Sequence, residues 1–294
     1  MGYASIENLY RPQAQDILLF REVFALEKVH GTSAHIKVKD GNLTFFSGGA
    51  PYENFVALFD KEALAQKFVD LGLTDCTVYG EAYGGKMQGM RETYGNELKF
   101  IVFEVNVGGK WLNVPDAEQV AHSLGLEFVH YKRVTTDLAS LDAERDAPSV
   151  QAVRNGIEKP MPREGIVIRP IIEVTKNNGA RVIAKHKTEK FRETQTHRPV
   201  IQEHVEAIRG ANKIAEEYVT RERLMHVLDR VRAETGVQEL GPERIPDITK
   251  TMVEDVTRES EGEAEIDKQA RKAIGHRTVG LFKAWLQEQL ANHG

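Results

Sequence analysis

The chain has 294 residues, is 41% hydrophobic and 28% charged, and carries a net charge of −5 with a pI near 6.1. Those totals leave room for one large or two ordinary domains and exclude a protein coated in basic charge for nucleic acid, although a local basic groove needs only a few lysines. The single cysteine, Cys76, excludes an internal disulfide and a cysteine-built zinc site and fits a reducing, cytoplasmic setting; no apolar run approaches the ~20 residues of a membrane span, and no secretory signal is read at the N-terminus.

The first predicted elements are apolar, strand-like stretches, Val23–Leu26 and Ala34–Val38, on either side of Glu27-Lys28-Val29-His30-Gly31-Thr32-Ser33. Asp40-Gly41-Asn42 predicts a hairpin turn between Ile36–Lys39 and Leu43–Phe46. The spacing of Phe55, Leu58, Leu64, Phe68 and Leu71 predicts one amphipathic helix over Glu53–Leu71. Thr77–Tyr79 reads as a short strand entering a glycine-rich loop, Gly80–Gly85. Phe100–Val107 and Trp111–Val114 form a second hairpin through Gly108-Gly109-Lys110, and Pro115-Asp116 opens a helix over Ala117–Leu124. Leu138–Asn155 reads as a charged helix interrupted at Pro148.

Gly165–Arg169 and Val182–Lys187 read as strands, the second reached through the turn Lys176-Asn177-Asn178-Gly179. After Arg198-Pro199 strand signals nearly vanish. Val200–Tyr218, Arg221–Thr235, Ile248–Glu259 and Ala264–Leu290 read as helices, broken at Gly241-Pro242 and Gly262. The expected architecture is an α+β domain of antiparallel sheets with flanking helices over residues 1–197, followed by a small all-helical domain over residues 198–294.

Five separated elements carry chemistry. Lys28 ends a strand before a glycine turn, where a pocket can turn its amine into a nucleophile. Glu81 follows a strand and offers a carboxylate to ribose hydroxyls. Phe103, beside Glu104, offers a ring to stack on a base. Glu164 opens an apolar strand and can hold a divalent metal or its waters. Lys185 and Lys187 are two apart on a strand and share a face, so an anion between them, such as a phosphate chain, offsets their repulsion. Each group alone also suits a surface or a core. Together, in this order, they suit attack by an amine on the α-phosphorus of a nucleoside triphosphate, where neighbouring cations favour the neutral amine and offset phosphate charge.

Lys28-x-x-Gly31, Gly80-Glu81, Phe103-Glu104, Glu164-Gly165 through Arg169-Pro170, and Lys185-x-Lys187 together resemble the signature of covalent nucleotidyltransferases, the polynucleotide ligases and capping enzymes. Within that superfamily the chain is similar to the phage-type RNA ligase 2 family. Tyr3-Ala4-Ser5-Ile6-Glu7-Asn8 resembles its N-terminal motif, Gln88 stands at the matching distance after Glu81, and Gly241-Pro242 with Glu254–Glu259 resembles its C-terminal domain.

The resemblance implies a ligase adenylation domain and an ATP-dependent RNA ligase using Mg2+ or Mn2+. Lys28 would take AMP from ATP, pass it to a 5′-phosphate, and a 3′-hydroxyl would expel it, in nicked or duplex RNA. It implies that Phe103 stacks on adenine, Glu81 binds ribose, Glu164 places the metal, and Lys185 and Lys187 contact phosphate. It further implies nucleotide contacts from Glu27, Val29, His30, Glu104, Gln88, Arg169 and Tyr3, and a monomer. Two positions depart from the family: Leu26 replaces an arginine, and Phe45-Phe46-Ser47-Gly48-Gly49 lacks the cation expected to meet phosphate of the nucleic acid. Sealing should therefore suffer more than self-adenylation. The rival readings are a ligase of DNA or mixed strands, a capping guanylyltransferase, and a non-catalytic holder of RNA ends with a degenerate ligase pocket. A further one makes the helical region a partner-binding module through Val279, Phe282, Trp285, Leu286 and Leu290.

Overall fold

Alternating apolar residues build two antiparallel sheets in the N-terminal half of the chain. The computed structural model describes residues 2–176, 178–191, 200, 202–237, 239–261 and 263–292. The chain divides into two compact units, Met1–Ile17 with Glu22–Arg198, and Leu18–Arg21 with Pro199–Gly294. The expected boundary at residues 197 and 198 lies outside the described residues, as do Gly262 and Asn177 of the expected breaks.

The strands of the first unit are β1 (Glu22–Lys28), β2 (Thr32–Lys39), β3 (Asn42–Phe46), β4 (Asp75–Gly84), β5 (Leu98–Val107), β6 (Lys110–Trp111), β7 (Tyr131–Thr135), β8 (Gly165–Pro170) and β9 (Ala184–Lys187). One sheet has the order β7-β1-β8-β9 and the other β3-β2-β4-β5-β6. Helices α1 (Tyr52–Val56), α2 (Lys61–Asp70), α3 (Arg91–Tyr94), α4 (Val114–Ser123), α5 (Leu138–Asp146) and α6 (Val150–Arg154) flank them. Phe24 and Leu26 of β1 share one core with Ile36, Val78 and Ile101 of the second sheet, with Phe68 of α2 and with Ala121 of α4. Cys76 is buried in that core, which pushes its thiol up to about 12.

Three expectations change. The helix expected over Glu53–Leu71 is two, because Asp60 stops the run and caps α2 by accepting from the Ala63 amide at 3.1 Å. Gly80 to Gly84 is not a loop but the second half of β4. Gly80 sits mid-strand because a Cβ there would lie 2.3 Å from the Ile101 carbonyl oxygen and 2.5 Å from the Phe100 ring. The sequence reading also passes over β7, a short edge strand whose Lys132 and Arg133 are exposed.

The second unit contains α7 (Gln202–Tyr218), α8 (Arg221–Thr235), α9 (Ile245–Glu259) and α10 (Lys268–Asn292), with no strand among its described residues. α10 packs against α7, α8 and α9, burying Ile208, Leu228, Met252, Val256, Ile274 and Phe282. Thr220 caps α8 through the Arg223 amide at 3.2 Å, and Gly236, at φ 70°, ends it. Of the expected interaction stripe, Phe282 is core and Trp285 stacks on it. No helix among the described residues is long and apolar enough to cross a membrane.

Candidate active site

Strand register assembles the site. Lys28 of β1 lies opposite Gly165 of β8, which lies opposite Lys187 of β9; one row along, Leu26, Val167 and Lys185 are opposite one another. Lys28 of the first row and all three residues of the second line a cavity of about 280 Å³ between the sheets. Gly165 puts no side chain between Lys28 and Lys187. Its φ of 151° and the His186 carbonyl oxygen, 2.2 Å from where a Cβ would stand, require glycine.

Glu164 fills the gap. Its Oε2 is 2.9 Å from Lys28 Nζ and 3.0 Å from His30 Nδ1, and its Oε1 is 2.7 Å from Lys187 Nζ. Burial alone would raise its carboxyl, but the His30 hydrogen bond and the two lysines more than offset that and hold it down to about 2. Lys28 is therefore held by a carboxylate, not by cations alone.

Glu81, on β4, faces the cavity and accepts from the Gly31 amide at 3.0 Å, tying the β1–β2 turn to the second sheet. Gly31 is obligatory there, since a Cβ would stand 2.2 Å from the Ala82 carbonyl oxygen. Burial pushes the Glu81 carboxyl up to about 7, against the pull of Lys28. His30 donates its amide to the Tyr94 hydroxyl at 3.3 Å.

Phe103 and Glu104 are neighbours in β5, yet both line the cavity. The pairing explains this: Tyr79 is opposite Glu104 and Gly80 is opposite Val102, so Phe103 is the extra residue of a β-bulge. Glu104 is buried and meets Arg169 at 3.1 Å, Arg181 at 2.5 Å and the Tyr3 hydroxyl. Arg169 and Tyr3 also line the cavity. Arg169 is completely enclosed, donating to the Leu112 carbonyl at 2.6 Å and to Glu173. It braces the wall through Glu104.

Two expected residues fall elsewhere. Glu27 precedes Lys28 and so points to the opposite face of β1. Although it borders the cavity, its carboxylate accepts from Ser149 Oγ at 2.6 Å and the Val150 amide at 2.9 Å, at the N-terminus of α6. Gln88 is exposed in the turn Met87–Gly89 with φ 50° and does not line the cavity. Val29 lines it and is buried. Leu26 is apolar wall, Phe46 stacks on His35, and Phe45 stacks on Phe59, so the two departing positions are packed.

The sequence reading misses Arg181, which lies in no motif and meets Tyr3 and Glu104 far along the chain. It also misses Ser33. That residue lies opposite Glu81, lines the cavity, and its buried hydroxyl has no hydrogen-bond partner among the described residues.

No curated protein matches the chain. Among solved structures, a Naegleria gruberi RNA ligase mutant with AMP and Mn is similar with a TM-score of 0.50 and 14% identity, over 65% of this chain and 57% of that one. A second mutant of the same ligase, with ATP and Mn, matches at a TM-score of 0.50 and 15% identity over the same shares. This chain thus spans 57% of the length of those ligases, and at such identity the likeness is one of fold. The RNA ligase family model covers residues 21–187, which contain both sheets and all the strand residues gathered around Glu164. The chain belongs to the RNA ligase family.

Proposed function

We propose that this protein is an ATP-dependent RNA ligase that joins 3′-hydroxyl and 5′-phosphate ends through AMP carried on Lys28. The observation that carries the reading is the row Lys28–Gly165–Lys187, gathered on one ionised carboxylate beside a cavity with Phe103 and Glu81 on its far wall. In this reading the base lies against Phe103 and the ribose hydroxyls donate to Glu81. Lys28 leaves Glu164 and gives up a proton to solvent water. Its Nζ then attacks the α-phosphorus, the bond to pyrophosphate breaks, and a nitrogen–phosphorus bond forms. Lys185 and Lys187 offset charge on the phosphates.

Among the described residues no three His, Cys, Asp or Glu side chains gather to hold a metal by themselves. The donor set suits Mg2+ or Mn2+ completed by phosphate oxygens, because Glu164 stays ionised down to about 2 and Mg2+ is commonly bound by one or two carboxylates plus substrate phosphates. Such an ion would add positive charge beside the phosphates. The Naegleria ligases were solved with ATP or AMP and Mn, which supports carrying both ligands over.

We assign adenylation to residues 1–197 and support of sealing, in nicked duplex RNA, to the helices of residues 198–294. Intact-protein mass after incubation with ATP and Mg2+ tests the central step. The wild type gains one AMP and Lys28→Ala gains none. A folded, AMP-free wild type that gains nothing points instead to a non-catalytic binder of RNA ends.

A further inference from the structure

The segment Tyr3–Leu9 is joined to both sheets. At one end the Leu9 amide donates to the Lys185 carbonyl at 2.8 Å and the Lys185 amide to the Glu7 carbonyl at 2.9 Å, which binds the segment to β9. At the other end the Tyr3 ring stands edge-on to Phe103 at 5.0 Å and Tyr79 at 5.3 Å, on the second sheet. Between these ends Ala4, Ser5 and Ile6 line the cavity, although Ala4 and Ser5 are exposed and the segment has no regular structure. A stretch with so little packing of its own holds its place through its ends.

Arg181 governs one of those ends. Its guanidinium meets Glu104 through both nitrogens, at 2.5 and 2.7 Å, reaches Glu173 at 2.9 Å, and donates to the Tyr3 hydroxyl at 3.2 Å. It also lies 4.3 Å from the centroid of the Trp111 ring. Tyr3 in turn donates to Glu104. Burial and the nearby Glu104 raise the Tyr3 hydroxyl well above its ordinary range, so it stays a donor. Only a planar fork reaches two carboxylates, a phenol and an indole face at once; a lysine ammonium supplies a point charge.

We propose that Arg181 is a positioning residue that latches the N-terminal segment, through Tyr3, as a strap closing the base end of the nucleotide cavity. The strap sets how tightly nucleotide is held and leaves the reacting end to Lys28, Glu164 and Lys187. The role in nucleotide binding rests on the ATP reading above; the latch itself does not.

The variants are Arg181→Lys, which keeps the charge, and Tyr3→Phe, which keeps the ring and removes only the hydroxyl. Tyr3→Phe carries the test if Arg181→Lys fails to fold. In nucleotide-free protein, hydrogen–deuterium exchange over residues 3–9 should speed up in both variants. Unchanged exchange overturns the latch, whatever the enzyme does with ATP. In the lysyl-AMP assay, the ATP concentration giving half the maximal rate should rise about tenfold in Arg181→Lys, with the maximal rate within about twofold of wild type. A wild-type half-maximal concentration alongside fast exchange, or a fall in maximal rate alone, overturns the link to nucleotide binding. Absence of any adduct on the wild type would sink the ATP reading and leave the exchange result to judge the strap.

Discussion

Two carboxylates that feel the charge of Lys28 are shifted in opposite directions. Glu164 is held down to about 2 by the groups it binds, so its contribution to stability is present above its ordinary value of 4.5 and is lost as the pH falls toward 2. Glu81 is pushed up to about 7 by burial, so its contribution is present below 4.5 and is lost as the pH rises through 7. Glu81→Gln mimics the protonated form and keeps an oxygen for the Gly31 amide. Its melting temperature should therefore fall less than that of the wild type between pH 4.5 and 7. An equal fall in both proteins would show that Glu81 is ionised throughout. At this scale the sequence reveals what strand alternation carries: Lys28, Lys185 and Lys187 stand on one face because they sit at the right parity of paired strands. The same rule turns Glu27 away. Arg181 was not legible because its partners Tyr3 and Glu104 are 178 and 77 positions distant.

Among the elements, β8 does the most with the fewest atoms. Gly165 is the middle of the row that holds Lys28 and Lys187, and its neighbour Glu164 supplies their shared counterion. A methyl group at Gly165 would strike the His186 carbonyl oxygen and force β9 outward. Gly165→Ala should cost about 2–4 kcal/mol of stability, read as a lower urea midpoint. It should also slow lysyl-AMP formation on the order of 100-fold, because Lys187 moves with the strand. Near-normal adduct formation in the folded variant would mean that the row is not the catalytic arrangement. Most elements were legible from periodicity and turn residues; α8, with Thr220 before it and Gly236 after it, begins and ends where the sequence reading places it. Elements held by distant pairing were not. β4 continues through Gly80 because it pairs with β2 on one side and with the bulged β5 on the other, and β7 carries too few apolar residues to announce itself.

For the molecule as a whole, a net charge of −5 repels RNA at long range, so in the proposed role an RNA end would be held by a few local cations. Raising salt from about 50 to about 200 mM should weaken binding of nicked RNA roughly tenfold or more, as released counterions lose their advantage. Lysyl-AMP formation, which needs no polynucleotide, should change far less. Affinity for nicked RNA that ignores salt would contradict a cation-lined path for its phosphates. The α+β and all-helical character of the two units was legible because strand signals stop near residue 198, whereas the cavity between the sheets depends on pairings that no local stretch of sequence reveals.

The contact of the N-terminal segment with β9 has a second consequence, for solubility. β9 is the last strand of its sheet, and an uncovered edge of backbone amides and carbonyls is a template for another chain. The two hydrogen bonds at Lys185 occupy that edge from within the molecule. At the opposite border, β7 carries the exposed side chains of Lys132, paired with Glu144 at 3.1 Å, and Arg133, paired with Glu22 at 2.6 Å, so that edge is lined with charged groups. The same sheet is thus guarded by the N-terminal segment on one side and by charged side chains on the other, and losing the first would leave the β9 edge open as a seed for aggregation.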